Sequence, residues 1–103
     1  MAVAYIQEFE IVGGDTSTKN YDAVVAGLGL TSSPDGLIVH TAGFDHDGGV
    51  FRIFDVWESR EQGERFIAEQ LNPVLERLMA EDTEGAFQPP TVDGWYELHD
   101  SMS

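Results

Sequence analysis

The sequence contains no cysteine and few basic residues. Without cysteine there is no disulfide framework, no thiol nucleophile and no cysteine-based zinc site. Nineteen acidic side chains against five basic ones leave a formal net charge of −14, which repels phosphate backbones and anionic membranes. We therefore expect no nucleic-acid partner and no membrane partner, and the simplest role of the charge is solubility.

Long hydrophobic runs are also missing. The first residues, MAVAYIQEFEI, are interrupted by Gln7, Glu8 and Glu10, so we expect neither a signal peptide nor a membrane span. A cytoplasmic location is the default expectation. At 103 residues the chain has room for one hydrophobic core, which predicts a single domain over residues 1–103 that a partner subunit would help to stabilise.

The first half of the chain predicts a strand and a helix. Residues Ala2 to Val12 are rich in β-formers and are followed by Gly13-Gly14. Thr16 or Ser17 is expected to cap a helix that ends near Gly29. The apolar face of this helix is formed by Tyr21, Val24, Val25 and Leu28.

A hairpin is predicted next. Leu37 to Phe44 reads as the second strand and Val50 to Trp57 as the third. Asp47-Gly48-Gly49 between them is a typical hairpin turn.

The second helix is predicted over Arg60 to Met79. Ser59 with Gln62 three residues later forms a capping box at its start. Pro73 is expected to kink or split the helix, because proline lacks the backbone donor and clashes with the preceding turn. Its apolar face consists of Phe66, Ile67, Leu71, Val74, Leu75 and Leu78.

The chain is expected to close with a connector and a fourth strand. Glu81 to Asp93 is acidic and contains proline, Trp95 to His99 is the predicted strand, and Ser101 to Ser103 is expected to fray. The resulting order is strand, helix, strand, strand, helix, strand, the α+β ferredoxin-like arrangement, with the fourth, first, third and second strands adjacent in that spatial order.

Both faces of the predicted antiparallel sheet are apolar. In the third strand one parity carries Phe51, Ile53 and Trp57, and the other carries Val50, Phe54 and Val56. A sheet with one solvated face would alternate between apolar and polar residues. Because two helices cover only one face, we expect a second copy of the chain to cover the other, in a homodimer.

These features together resemble the dimeric α+β barrel superfamily, and within it the small proteins related to antibiotic-biosynthesis monooxygenases. The residues that carry the resemblance are the corner Asp55-Val56-Trp57-Glu58-Ser59 and the helix with Phe66, Leu71 and Pro73. The resemblance implies two sheets closing into one barrel, with a pocket in each subunit between sheet and helices. Its members include cofactor-free oxygenases of aromatic polyketides, haem-degrading enzymes, isomerases and proteins without known activity.

The histidines argue against the haem-degrading branch. That branch uses a histidine on a helix as iron ligand, whereas His40, His46 and His99 are predicted in strands or the hairpin. The oxygenase branch tends to carry a polar amide in the first strand and indoles near the pocket. Gln7, Trp57 and Trp95 are the counterparts by position that the resemblance implies.

His40 and Asp55 are the predicted catalytic residues. A hairpin loop of two or four residues would place His40 on the face of Asp55, and a two-residue loop at Asp47-Gly48 would put them directly opposite. A carboxylate beside an imidazole favours the charged ring and orients it, as a general base requires. A three-residue loop would instead place His40 beside Arg52, Phe54 and Val56. The alternative role is a buried histidine held by one hydrogen bond.

Asp55 and Arg52 both need partners within an apolar strand, because an unpaired buried charge is costly. The expected partner of Asp55 is His40, Arg52 of a neighbouring subunit, or a ligand. A structural ion pair is the simplest expectation for Arg52.

Aromatic side chains are the predicted ligand-binding residues. Each tryptophan by itself is typical of core packing, whereas the set is suited to a flat hydrophobic ligand. His99, on the parity of Trp95 and Glu97, is either an intersubunit residue or an exposed one near the chain end. The full set is Tyr21, Phe44, Phe51, Trp57, Phe66, Trp95 and His99.

No cofactor site is expected. Asp45-His46-Asp47 is read as a solvated hairpin tip rather than a metal site, and Gly27-Leu28-Gly29 follows a helix rather than a strand, which rejects a dinucleotide loop. Two hypotheses follow. The first is a cofactor-independent enzyme, oxygenase-like or isomerase-like, that acts on a hydrophobic aromatic or polyketide-like small molecule. The second is a non-catalytic dimeric protein that binds a small molecule or serves as an accessory subunit.

Overall fold

The computed structural model describes residues 2–14, 16–82 and 88–100. The elements follow the predicted order of strand, helix, strand, strand, helix, strand, which is confirmed. They are β1 (Val3–Glu10), α1 (Lys19–Leu28), β2 (Leu37–Asp45), β3 (Val50–Trp57), α2 (Arg60–Phe66), a π-helical turn (Ile67–Leu71), α3 (Asn72–Glu81) and β4 (Val92–Glu97). Within the described ranges, no helix is long and apolar enough to cross a bilayer.

The four strands form one antiparallel sheet in the order β2-β3-β1-β4. This is the spatial order expected for the ferredoxin-like arrangement, and it leaves β2 and β4 at the edges. Because residues paired across antiparallel strands share a face, the register assigns each side chain to one side of the sheet.

The helices pack on one side of the sheet, which we call the helix-facing side. Tyr21 of α1 contacts His40 and Phe51, and Phe66 of α2 contacts Trp57. From the strand ends toward the hairpin, and in the order β2, β3, β1, β4, its rows read Leu37, Trp57, Val3, Glu97; His40, Asp55, Tyr5, Trp95; Ala42, Ile53, Gln7, Asp93; and Phe44, Phe51, Phe9.

The core lies at the end of the helix-facing side that α2 covers. Val3, Tyr5 and Trp57 are buried there, with Trp57 only 2% exposed. Gly63 brings α2 close to the sheet, because a Cβ at this position would lie 2.5 Å from Trp95 and 3.1 Å from Trp57. The hairpin end is covered less completely, and most of β2 is exposed.

The opposite side of the sheet, which we call the open face, is apolar over much of its area. It carries Ala4, Ile6, Val39, Phe54, Val56, Val92 and Tyr96. Val39, Val92 and Tyr96 remain 43%, 44% and 46% exposed. The prediction that both faces of the sheet are apolar is confirmed.

Arg52 also lies on the open face, where it pairs with two carboxylates. Its Nε donates to Glu8 at 2.6 Å and its Nη2 to Asp45 at 3.2 Å. The expected structural ion pair of Arg52 is therefore present, with Glu8 and Asp45 as its partners. Asp55 lies on the other side of the same strand and pairs elsewhere.

The second helix begins where its capping box predicts. Ser59 is extended, and its hydroxyl accepts the backbone N–H of Gln62 at 3.2 Å. The Gln62 side chain accepts a hydrogen bond from that hydroxyl at 2.9 Å. The break expected at Pro73 takes the form of the π-helical turn, after which Pro73 occupies the first turn of α3, where a missing donor is tolerated.

The first helix begins later than predicted and ends as predicted. Thr18 is the residue before α1 and makes no side-chain cap, so the expected cap by Thr16 or Ser17 is wrong. Ser17 nonetheless accepts the backbone N–H of Lys19 at 3.2 Å. Gly29 adopts a left-handed conformation with φ of 57°, which ends the helix.

The fourth strand is shifted toward the N-terminus relative to the prediction. It spans Val92–Glu97 because its first residues pair with β1, starting from the hydrogen bond of Thr91 to the Glu8 carbonyl at 2.7 Å. His99 therefore lies beyond the strand, contrary to prediction. Part of the predicted connector, residues 83–87, and the predicted frayed end, residues 101–103, lie outside the described residues.

Candidate active site

The hairpin register brings His40 directly opposite Asp55. Strand β2 ends at Asp45 and β3 begins at Val50, so the loop holds the four residues 46–49. In the pairing that follows, His40 on β2 faces Asp55 on β3. The expectation that the two residues share a sheet face is confirmed, and that face is the helix-facing side.

A chain of hydrogen bonds connects α1 to the sheet through His40. The ring Nδ1 lies 2.5 Å from Asp55 Oδ1, and the ring Nε2 lies 2.7 Å from Tyr21 Oη. The His40 side chain is 40% exposed and the Asp55 side chain 16%. Asp55 is therefore a shielded acceptor, while the imidazole lies at the rim of the site.

The carboxylate controls the protonation of the imidazole. The hydrogen bond from Asp55 raises the pKa of His40 above its ordinary value, and this effect outweighs partial burial, which lowers it. Burial raises the pKa of Tyr21, and the negative charges of Asp55 and Asp22 act in the same direction. Tyr21 is therefore a neutral phenol at physiological pH.

An aromatic wall continues from Tyr21 toward the hairpin. The Tyr21 ring meets Phe51 edge-on at 5.5 Å, and Phe51 meets Phe44 edge-on at 5.0 Å. Phe44 in turn stacks on His46 at 5.7 Å. Three of the predicted ligand-binding residues, Tyr21, Phe44 and Phe51, thus lie together beside His40.

A second polar pair on the same side was not predicted. The hydroxyl of Tyr5 hydrogen-bonds to Asp93, and burial is the main cause that raises the pKa of Tyr5, followed by that bond. Gln7 lies between Ile53 and Asp93 in the register. The predicted fourth strand began at Trp95, so the position of Asp93 beside Gln7 could not be inferred from it.

Comparisons with known proteins give a consistent result for the fold. No protein-family model matches the sequence, and no curated protein matches it. Rv0793 from Mycobacterium tuberculosis superposes with a TM-score of 0.69 at 20% identity, over 100% of both chains. SnoaB, a cofactor-independent oxygenase from Streptomyces nogalater, superposes with a TM-score of 0.63 at 17% identity, over 98% of this chain and 96% of SnoaB.

A third similar structure carries the family name. A protein from Chloroflexus aurantiacus, proposed to be an antibiotic biosynthesis monooxygenase, superposes with a TM-score of 0.64 at 14% identity, over 100% of this chain and 98% of the other. This chain has the antibiotic-biosynthesis-monooxygenase-like fold. The fold expected from the resemblance is confirmed, while identities this low leave the chemistry to be argued from the residues.

Within the antibiotic-biosynthesis-monooxygenase-like fold, the remaining predicted aromatics belong to the core. Trp57 is buried against Phe66, with ring centroids 5.6 Å apart, and its Nε1 has no hydrogen-bond partner. Trp95 stacks on Tyr5 at 4.4 Å and is covered by the Arg60 guanidinium at 5.5 Å. Packing therefore accounts for Trp57, Trp95 and Phe66, and their role as ligand contacts stays a prediction.

Two further positions lie apart from His40. His99 is exposed and follows β4. A shallow surface hollow beside α2 includes Phe66 but neither His40 nor Asp55; it is lined by Pro34, Asp35, Gln62, Arg65, Phe66, Glu69 and Gln70. Asp45, which belongs to the Asp45-His46-Asp47 tip, accepts the Gly48 N–H and pairs with Arg52. Within the part of the chain that the structure describes, no three acidic or histidine side chains are grouped to hold a metal.

Proposed function

We propose that this chain is a cofactor-independent enzyme that abstracts a proton from a hydrophobic aromatic or polyketide-like small molecule. The observation that carries the proposal is the placement of His40 between Asp55 and Tyr21 on the helix-facing side, at the edge of an aromatic wall. His40 is the base, and Asp55 holds and orients its ring.

The His40–Asp55 pair has the properties of a general base. An ionised carboxylate accepts the Nδ1–H and therefore selects the tautomer whose Nε2 carries the lone pair. After proton uptake, the same carboxylate stabilises the imidazolium. The raised pKa of His40 brings it toward neutrality, where a base is most effective.

The surroundings of the pair suit a flat apolar substrate. Phe44, Phe51 and Tyr21 supply ring faces and edges, and the neighbouring row of the sheet carries Ala42 and Ile53. Such rings bind aromatic ligands through apolar burial and edge-to-face contacts. Gln7, in the same row, supplies an amide that can orient a carbonyl or hydroxyl group.

Deprotonation opens two outcomes for such a substrate. In an oxygenation, the substrate anion supplies the electrons that reduce O₂, so that one oxygen atom becomes a carbonyl oxygen on the substrate and the other leaves as water with the two methylene hydrogens. In an isomerisation, the proton returns to a different carbon. The cofactor-independent oxygenase SnoaB, which shares the fold, supports the first outcome.

A homodimer is part of the proposal. The open face exposes Val39, Val92 and Tyr96 on both edge strands, and a second copy of the same sheet would cover them. The helix-facing side, with His40, remains within each subunit. The predicted cytoplasmic location stays a prediction.

The alternative is a non-catalytic binding or accessory protein. It is favoured by the contact of Tyr21 with His40, because this bond also ties α1 to the edge strand β2. In that case the His40–Asp55 pair contributes to stability only.

Anthrone, an uncharged tricyclic ketone with an acidic methylene group, is a suitable probe. We expect the purified protein, after dialysis against a chelator, to consume O₂ and convert anthrone into anthraquinone and water. His40→Ala and Asp55→Asn should each lower the rate by ~10²–10⁴, the contribution of a general base, with little change in melting temperature. His99→Ala, which removes an exposed histidine, is the matched control.

The two hypotheses predict opposite patterns. If the pair is structural, His40→Ala and Asp55→Asn would lower the free energy of unfolding by about 1–3 kcal/mol. Lost stability without any anthrone turnover in the wild type would favour the accessory role and reject the enzyme.

A further inference from the structure

Both ring nitrogens of His40 are occupied by the protein. Nδ1 is bound to Asp55, and Nε2 lies 2.7 Å from Tyr21 Oη. A neutral imidazole has one donor and one acceptor nitrogen, so neither is left for a third partner. A substrate that approached His40 itself would have to displace the Tyr21 hydroxyl first.

The Tyr21 hydroxyl, in contrast, keeps hydrogen-bonding capacity. A phenol donates one hydrogen bond and accepts through its lone pairs. When its O–H is donated to His40 Nε2, the oxygen still accepts a bond from a ligand O–H. The ring is held by its edge-on contact with Phe51, beside the aromatic wall.

We propose that Tyr21 is the group that meets the substrate, and that it passes the substrate proton to His40. The inference rests on the proposed function, because it names the substrate-facing residue and the substrate class of the same site. Tyr21 is then the catalytic residue, whereas Asp55 positions the imidazole. The substrate group that fits is the O–H of an uncharged phenol or enol.

The proton transfer is balanced over two bonds. The substrate O–H breaks as a new O–H forms at Tyr21, and the former Tyr21 O–H breaks as an N–H forms at His40 Nε2. The products are the substrate anion, a neutral Tyr21 and an imidazolium that faces Asp55. No tyrosinate accumulates, which is consistent with the burial and the negative charges around Tyr21.

Charge restricts the substrate class. Asp55 and Asp93 both lie on the helix-facing side, Asp22 acts on Tyr21 from α1, and the whole chain carries −14. An anionic substrate would be repelled by this field. An uncharged phenol or enol avoids the repulsion and acquires its negative charge only beside the imidazolium.

2-Naphthol is a direct probe of the relay. It is an uncharged phenol that becomes strongly acidic in its excited state, and its neutral and deprotonated forms emit at different wavelengths. We expect the bound probe to emit mainly as naphtholate in the wild type. Tyr21→Phe and His40→Gln should each retain binding and lower the naphtholate-to-naphthol emission ratio at least about tenfold, since a positioned proton-transfer group contributes ~10²–10⁴ in rate.

Two controls define the site and the class. Tyr96→Phe removes a phenol from the open face, where Tyr96 is 46% exposed, and should leave the emission ratio unchanged. 2-Naphthol-6-sulfonate has the same ring with a negative charge and should bind more weakly. Equal binding of the two probes would contradict the assignment of an uncharged substrate.

The pH profile provides a readout that needs no variant. The groups that face His40 are Asp55 from β3 and Tyr21, with Asp22 nearby on α1. The emission ratio should rise with pH through the raised pKa of His40, because only the neutral imidazole accepts the proton. A flat profile would overturn the relay, even if Tyr21→Phe failed to fold.

The remaining outcomes separate the relay from the proposed function. An unchanged or higher ratio in Tyr21→Phe would show that His40 receives the proton directly, and an unchanged ratio in His40→Gln would show that solvent does; either overturns the relay. Absence of 2-naphthol binding overturns it as well. An intact relay with no anthrone turnover would reject the proposed function and retain the inference.

Discussion

Gly63 on α2 lies so close to the indole of Trp95 on β4 that a Cβ at Gly63 would be 2.5 Å from Cη2. The same Cβ would meet Trp57 at 3.1 Å. Trp57 is 2% exposed and therefore has no room to move aside. The missing side chain at Gly63 sets how closely the helix approaches the core.

Gly63→Ala is therefore expected to destabilise the protein. In a helix without this contact, alanine would stabilise by up to about 1 kcal/mol relative to glycine. Forcing a methyl group against two indoles costs about 1–3 kcal/mol, so the melting temperature should fall. Glu61→Ala on the same helix, whose side chain is 82% exposed, should change the free energy of unfolding by less than about 1 kcal/mol. A rise in melting temperature for Gly63→Ala would contradict the packing.

The His40–Asp55 pair should make stability depend on pH. The pKa of His40 in the folded state is raised above its unfolded value of about 6.5. The contribution of the pair is therefore complete below about pH 6.5 and is lost as the pH rises through the folded pKa. The difference in melting temperature between wild type and Asp55→Asn should be larger at about pH 5.5 than at about pH 8.5.

The control for this experiment is His99→Gln, which removes an exposed histidine and should show no such change with pH. A difference between wild type and Asp55→Asn that grows with pH would mean that Asp55 does not stabilise the imidazolium.

Ser59→Ala should lower the free energy of unfolding by about 1 kcal/mol, because it removes the acceptor for the Gln62 N–H at the start of α2. Ser59→Asp is the matched variant, since aspartate is an equally good cap, and it should retain most of the stability. Urea denaturation of the three proteins measures both. If the two variants were equally destabilised, the capping bond would not be the cause.

The homodimer can be tested by placing a charge on the open face. Val39→Lys puts an ammonium group on a face where Val39 is 43% exposed, and an unpaired charge within an interface is costly. Light scattering should then report the mass of one chain instead of two. Val25→Lys is the matched control, because Val25 is 51% exposed but lies on α1.

A wild-type protein with the mass of one chain would reject the dimer. A Val39→Lys variant that keeps the dimer mass would place the interface on a different surface.

Local sequence patterns determine much of this fold. The order of the elements, the start of α2 at Ser59 and the end of α1 at Gly29 follow from caps, turns and apolar periodicity within a few residues of each boundary. The face shared by His40 and Asp55 also follows from local information, because a hairpin loop of even length allows only that parity. The start of β4 at Val92 was missed because pairing with β1, rather than local β propensity, decides it.

The tertiary structure alone decides which side chains meet across elements. Tyr21 and His40 are joined by the depth and angle at which α1 packs on the sheet, which helix periodicity does not specify. Likewise, Tyr5 reaches Asp93 only through the register of β4, and burial against Phe66 makes Trp57 a core residue. A sequence pattern specifies the face on which a residue lies, whereas its partner on the neighbouring element depends on how the two surfaces pack.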